Sequence, residues 1–238
     1  MNTLNTVIEL CCADIHSVQA AEIYKIPAIE LCIDLSCGGL TPGMAMVSQT
    51  RKLFSGELGV LIRPRKGNFH YSTLEKVLIL DEISRMLDAG ANAIVIGALY
   101  EDGSLDLKFM EQIVQATMGS TLVFHRAIDT TPHVDKILQQ LTDFQFDRIL
   151  SSGGKHTASE GAENLKKWSQ SINHQIEMVA GGKIDASNVK QIIKESGCRR
   201  IHCALRSPGE LTESVLDLGI PDALDVDKLK SLLKVLKK

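Results

Sequence analysis

Short apolar runs recur along the chain. Each is followed by a turn signal and then by a stretch whose apolar residues return with helical spacing. The runs predict strands over 7–11, 28–33, 59–63, 93–97, 121–126, 147–150, 177–180 and 200–203. The periodic stretches predict helices over 16–25, 42–54, 74–89, 107–117, 132–144, 162–170, 186–195 and 226–237. Thr41-Pro42 and Thr131-Pro132 each place a hydroxyl that can cap a helix before a proline suited to its first position. Asp185 is placed to cap the seventh helix, and Gly90 and Gly197 stand at helix ends where a left-handed residue is wanted. The longest irregular piece, 206–225, follows the last strand.

Eight strands alternating with eight helices in 238 residues is the arithmetic of an α/β fold, the (β/α)8 TIM barrel, as a single domain over 1–238. A doubly wound open sheet is the rival, but the GxGxxG fingerprint that usually opens it is absent. No Gly/Ser linker or low-complexity stretch divides the chain.

Within this pattern one string occurs twice, as Ile8-Glu9-Leu10-Cys11 and Ile29-Glu30-Leu31-Cys32. Side chains alternate along a strand, so Glu and Cys share one face while Ile and Leu share the other. A carboxylate in an apolar strand is expensive to bury without a partner. Other polar residues gather at predicted strand ends, where barrel chemistry lies: Arg63 and Arg65, His125, Arg126 and Asp129, Ser151 and Ser152, and His202. Two arrangements are open. The arginines could neutralise Glu9 and Glu30 in a buried ion-pair network. Alternatively, Arg63, Arg65 and Arg126 clamp an anionic ligand while Glu9, Glu30, His125, Asp129 and His202 supply acid–base groups. Glycine-rich turns after strands six and seven, with Ser152, Gly153, Gly181 and Gly182, have the backbone N–H groups to cradle phosphate. The thiols offer a different chemistry: Cys11, Cys12, Cys32 and Cys37 lie at or near adjacent strand ends, and soft thiolates suit Cu(I).

Composition narrows the classes. At 44% hydrophobic the chain can bury a sizeable core, and a net charge of −3 with dispersed lysine and arginine argues against nucleic acid or an anionic membrane surface as partner. No apolar stretch approaches the ~18 residues of a membrane span. The first residues lack an export signal, so a cytoplasmic location with reduced thiols is expected for the six cysteines, none of which forms a CxxC.

Taken together, the motifs resemble the CutC family. The resemblance rests on Ile8-Glu9-Leu10-Cys11-Cys12, on Glu30-Leu31-Cys32 followed by Gly38-Gly39-Leu40-Thr41-Pro42, and on Ile62-Arg63-Pro64-Arg65. Tyr71-Ser72, Gly97-Ala98-Leu99 with Asp102-Gly103, Phe124-His125-Arg126-Ala127, Ser152-Gly153-Gly154 and His202 continue it. It implies a (β/α)8 barrel associated with copper homeostasis, with Cys11 and Cys32 as Cu(I) ligands, and a homo-oligomer paired through outer helices. The glutamates, arginines and histidines it shares look instead like an enzyme for a small anionic metabolite, phosphorylated or not. The chain departs from the family pattern at Lys66-Gly67-Asn68, where Gly-Gly-Asp is usual, at Ala204, where serine is usual, and in a shorter tail beyond Arg206.

Overall fold

The computed structural model describes residues 6–208 and 222–237. In chain order the elements are β1 (Val7–Cys12), α1 (Ile15–Ile23), β2 (Ala28–Leu31), α2 (Met44–Leu53), β3 (Glu57–Leu61), α3 (Thr73–Asp88), β4 (Ala93–Ile96) and α4 (Leu107–Ala116). They continue with β5 (Thr121–Phe124), α5 (Val134–Asp143), β6 (Arg148–Ser151), α6 (Ala158–Ser171), β7 (Glu177–Gly181), α7 (Val189–Ser196) and β8 (Arg200–Cys203). After β8, β9 (Arg206–Pro208) pairs antiparallel with β10 (Asp222–Leu224), and α8 (Val226–Leu236) follows. Strands β1 to β8 form a closed parallel barrel in sequence order, with β8 hydrogen-bonded back to β1. This is the TIM barrel that the alternation of strand and helix patterns predicts.

The period-two alternation sorts side chains as expected. Ile8, Leu10, Ile29 and Leu31 face the helices in the main core. Cys11, Cys32, Leu61, Val95, Val123, Leu150 and Val179 form a separate cluster inside the barrel. Below that cluster the barrel is closed by charge. Arg148 and Arg200, at the starts of β6 and β8, pair with Glu57 and Glu177, at the starts of β3 and β7. An ion-pair network anticipated for the barrel's top thus exists at its opposite end, half-buried and built mostly from other residues, with Glu9 reaching it through Arg200.

Several boundaries differ from the pattern, for identifiable reasons. Helices α2 and α5 begin two residues after Pro42 and Pro132. The threonines before those prolines are committed elsewhere. Thr41 Oγ1 accepts the backbone N–H of Arg63 at 2.8 Å and donates to Glu82 at 3.1 Å, while Thr131 Oγ1 donates to the carbonyl of Gly103 at 2.6 Å and accepts only the N–H of His133, the residue just before α5, at 2.9 Å. Asn188, not Asp185, precedes α7, because the Asp185 carboxylate accepts from Ser187 in a turn of its own. Helix α6 starts earlier than the apolar period suggests, at a capping box made by Thr157 and Glu160. Gly197 ends α7 in the left-handed region at φ 75°. The shorter tail expected beyond Arg206 falls mostly on residues 209–221, outside the described residues.

Candidate functional site

A cavity of about 460 Å³ opens at the C-terminal end of the barrel, a size ordinary for a small-molecule pocket. Of the residues singled out from the sequence, Cys11, Glu30, Arg63, His125, Arg126, Gly182 and His202 line it. Glu9 lies beneath, between the ion-pair network and the cavity. Its Oε1 accepts from His202 Nδ1 at 2.9 Å, and its Oε2 is 3.5 Å from Arg200. Burial pushes the Glu9 carboxyl up, but the hydrogen bond and charge of His202, with Arg200 and Arg148, outweigh it and hold the pKa below 4.5. Glu9 is therefore ionised and only accepts, so Nδ1 of His202 carries the proton. Burial disfavours the charged ring of His202. The charge of Glu30 and the hydrogen bond and charge of Glu9 more than offset that and raise its pKa above 6.5.

Glu30 has no such support. It is buried, its Oε2 has no hydrogen-bond partner among the described residues, and His202 Nδ1 lies 4.0 Å away. Burial, opposed by His202 and reinforced by Glu9, pushes its carboxyl up to about 7. Near neutral pH such a group can both give and take a proton.

Arg63 is buried as well, at 7% exposure. Its guanidinium donates to the carbonyls of Cys37, Gly39 and Gly67 at 2.8–3.0 Å and lies over the Phe69 ring, 5.2 Å from the centroid. Its Nε has no partner, and no carboxylate pairs with it among the described residues. His125 accepts the Ala127 N–H on Nδ1 at 3.2 Å, and burial, with the Arg63 charge beside it, lowers its pKa to about 3.

Other anticipated residues have different surroundings. Arg65 pairs with Glu75 and donates to the carbonyls of Asn68 and His70 at 3.0 and 2.7 Å, bracing the loop after β3 away from the cavity. Asp129 accepts the N–H groups of Ser152 at 3.0 Å and Gly154 at 2.9 Å and the Ser151 hydroxyl, and pairs with Arg126 at 2.8 Å. Gly153 N–H donates to Ser151 Oγ at 2.8 Å. The first of the two turns expected to cradle phosphate thus already holds the protein's own carboxylate, while Gly182 of the second lines the cavity. Gly153 serves packing: a Cβ there would lie 2.2 Å from the Gly161 carbonyl in α6. Gly181 points into the barrel, where a Cβ would strike Leu150 at 2.6 Å.

The thiols of Cys11 and Cys32 are 3.7 Å apart on the inner face. Their hydrogen bond, then burial, pushes Cys11 well above 9.0. One donor atom each from Cys11, Glu30 and His202 lie within 4.8 Å of one another, so these three residues could hold a metal ion. Cys12 packs in the outer core, and Cys37 donates its thiol to the Asp34 carbonyl at 3.2 Å.

The cavity also has members that the sequence reading passed over. Lys183, Arg206 and Lys228 join Arg126 at the rim, with Asp185 as the rim carboxylate. Lys183 directly follows Gly181-Gly182 and could have been found by its strand-end position. Lys228 belongs to α8 and reaches the mouth only because that helix folds back, where its Nζ donates to the Arg206 carbonyl at 2.8 Å. Arg200 was also discoverable, being two residues from His202 and so on the same strand face.

The CutC family matches residues 6–207 of this chain. The chain belongs to the CutC family. A family protein CutC of Glaesserella parasuis serovar 5 is 34% identical over 236 residues, covering 95% of this chain and 97% of that one. The CutC family protein of Treponema denticola is 33% identical, covering 98% of each. Among solved structures, CutC from Streptococcus agalactiae, provisionally assigned to copper homeostasis, superposes with a TM-score of 0.79 at 30% identity. It covers 83% of this chain and 97% of that one. N-(5'-phosphoribosyl)anthranilate isomerase from Pyrococcus furiosus, at 9% identity and a TM-score of 0.58, shares the barrel fold alone. No helix among the described residues is long and apolar enough to cross a membrane.

Proposed function

We propose that the barrel mouth of this CutC family member binds a small anionic metabolite and carries out proton-transfer chemistry on it. One observation carries the reading: Arg63 is a buried guanidinium lining the cavity, with carbonyl oxygens but, among the described residues, no carboxylate to balance it. A buried charge of this kind is costly unless a counter-charge arrives. The rim adds positive charge: Arg126, Lys183, Arg206 and Lys228 line it, with Arg126 also paired to Asp129, Arg206 to Asp14 and Lys228 to Asp225. Glu30 then supplies a group that exchanges protons near neutral pH, and Glu9 holds His202 in place beside it.

The test is a thermal-shift screen of phosphorylated and carboxylated metabolites, followed by calorimetry on the hits. At least one anion should stabilise the wild type, and Arg63→Met should abolish that effect. Arg63→Lys should restore only part, because a lysine cannot reproduce the planar donor fork. If no anion stabilises the wild type, or Arg63→Met binds the hit as well as wild type does, the reading is refuted.

A second reading, copper handling, is favoured by Cys11 and Cys32 lying 3.7 Å apart. Two adjacent thiols suit Cu(I) once deprotonated. Both are buried, however, and the donors grouped with Cys11 are a carboxylate and an imidazole, a mixed set better matched to a borderline divalent ion such as zinc. Anaerobic titration with Cu(I) and with Zn(II), each against a competing chelator, separates the two. Loss of tight Cu(I) binding in Cys11→Ser/Cys32→Ser is the outcome that supports copper.

A further inference from the structure

The inference concerns His125 and rests on the anionic-ligand reading above. His125 is the N-cap of the 3-10 turn Arg126–Thr130, and its Nδ1 accepts the Ala127 N–H. A ring nitrogen that accepts a hydrogen bond carries no proton, so the neutral ring holds its single proton on Nε2. The ring is fixed in that orientation. A Cβ on Gly97 would lie 2.6 Å from its Cε1 and Nδ1, and the Phe69 ring packs against it with centroids 4.7 Å apart. Burial and the neighbouring Arg63 charge keep it neutral at physiological pH. Its Nε2 is buried without a hydrogen-bond partner among the described residues, although the residue lines the cavity. A buried donor left unpaired destabilises the protein, so the missing acceptor is expected from a ligand.

We infer that the Nε2–H of His125 donates to a carbonyl oxygen of the substrate, and that the reaction is removal of a proton by Glu30 from the carbon next to that carbonyl. The substrate class is then a small carbonyl compound that also bears a phosphate or carboxylate for Arg63 and the rim. The acceptor must be one whose negative charge grows as the reaction proceeds, because a preorganised donor accelerates only what it binds more strongly in the transition state. A carbonyl becoming an enolate meets that condition. Glu30 takes the proton and becomes a carboxylic acid. The C–H electron pair forms the carbon–carbon double bond, and the carbonyl π pair moves to oxygen, where Nε2–H receives it. Return of the proton from Glu30 to that carbon re-forms the carbonyl and completes the exchange with no oxidant or reductant. A neutral imidazole facing a carbonyl, with a glutamate as base, is a known solution to this chemistry in another TIM barrel. His125 is thereby a fixed donor, in contrast to the proton-shuttling role its residue type suggests.

The test compares two probes on the full chain by calorimetry: phosphoglycolohydroxamate, which mimics a phosphorylated enediolate, and glycerol phosphate, which has the phosphate but no carbonyl. The wild type should prefer the hydroxamate by about tenfold or more, the effect of one charge-assisted hydrogen bond. His125→Asn keeps a side-chain oxygen for the Ala127 N–H but lacks Nε2–H, so it should lose the preference and keep its affinity for glycerol phosphate. His125→Gln, whose amide reaches further, should regain part of the preference. In NMR of nitrogen-labelled wild type, the His125 Nε2-bound proton should move downfield with the hydroxamate and stay with glycerol phosphate, a signature independent of any variant's folding. Glycerol phosphate binding without a hydroxamate preference, a preference that survives in His125→Asn, or an unmoved Nε2 proton each overturns the inference while the anionic site stands. Binding of neither probe, together with an empty anion screen, overturns both.

Discussion

Replacing Glu30 with glutamine should make the protein more stable at pH 8 and flatten its stability against pH. Glu30 is 5% exposed, and burial raises its carboxyl from 4.5 to about 7. A group whose pKa is higher in the folded state holds its proton more tightly there. Its contribution is complete below 4.5, where the unfolded chain is protonated too, and is lost as the pH rises through about 7. A displacement of about 2.5 pH units at ~1.36 kcal/mol each makes the ionised Glu30 a burden of roughly 3 kcal/mol above neutral pH. His202, with its raised pKa, runs in the same direction. Its contribution is present below 6.5 and lost as the pH passes its higher folded value. Glu9, with its lowered pKa, runs oppositely, present above 4.5 and lost on acidification. Glu9 is common to both proteins and largely cancels in the comparison. Urea unfolding from about pH 5 to pH 8 measures the difference. The wild type should lose stability across that range, and Glu30→Gln should exceed it at the upper end by up to about 3 kcal/mol. A variant that is less stable than wild type at pH 8, or that shows the same slope, refutes the claim that His202 only partly compensates the Glu30 charge.

Three further outcomes follow from the same geometry. Arg200→Met removes a guanidinium near Glu9, Glu57 and Glu177 and should cost about 3–5 kcal/mol in urea unfolding, an unchanged midpoint being the contrary result. Gly97→Ala places a methyl against the His125 ring and should destabilise by about 1–3 kcal/mol while reducing the preference for the hydroxamate over glycerol phosphate; wild-type behaviour in both would mean the ring is free to move. Asp129→Ala withdraws the carboxylate from the N–H groups of Ser152 and Gly154 and should lower stability by about 1.5–3 kcal/mol. Inorganic phosphate should then raise the melting temperature of that variant more than that of wild type, and an equal response would show that the emptied turn binds no anion.

The barrel was readable because two periodicities alternate cleanly, and the inward placement of Glu9, Cys11, Glu30 and Cys32 followed from the pleat alone. Boundaries were less readable where a side chain had a distant partner. Thr41 looks like a helix cap until Arg63 and Glu82 are brought to it. The turn at Ser152 to Gly154 looks like a phosphate cradle until Asp129 is seen filling it. The sequence showed three arginines and two glutamates as candidate partners, but Arg63 and Arg65 bond elsewhere, and Glu9 pairs with Arg200 instead.

By itself, the sequence determined the elements, the faces of the strands and the end of the barrel where chemistry collects, because backbone periodicity is set within a few residues. Which charges meet was decided by closure. The hydrogen bond between Glu9 and His202 spans 193 positions and exists only because β8 pairs with β1. Desolvation is likewise a property of the closed barrel. It leaves Arg63 buried with no carboxylate partner among the described residues and pushes the Glu30 carboxyl up to about 7, and no local pattern carries that information.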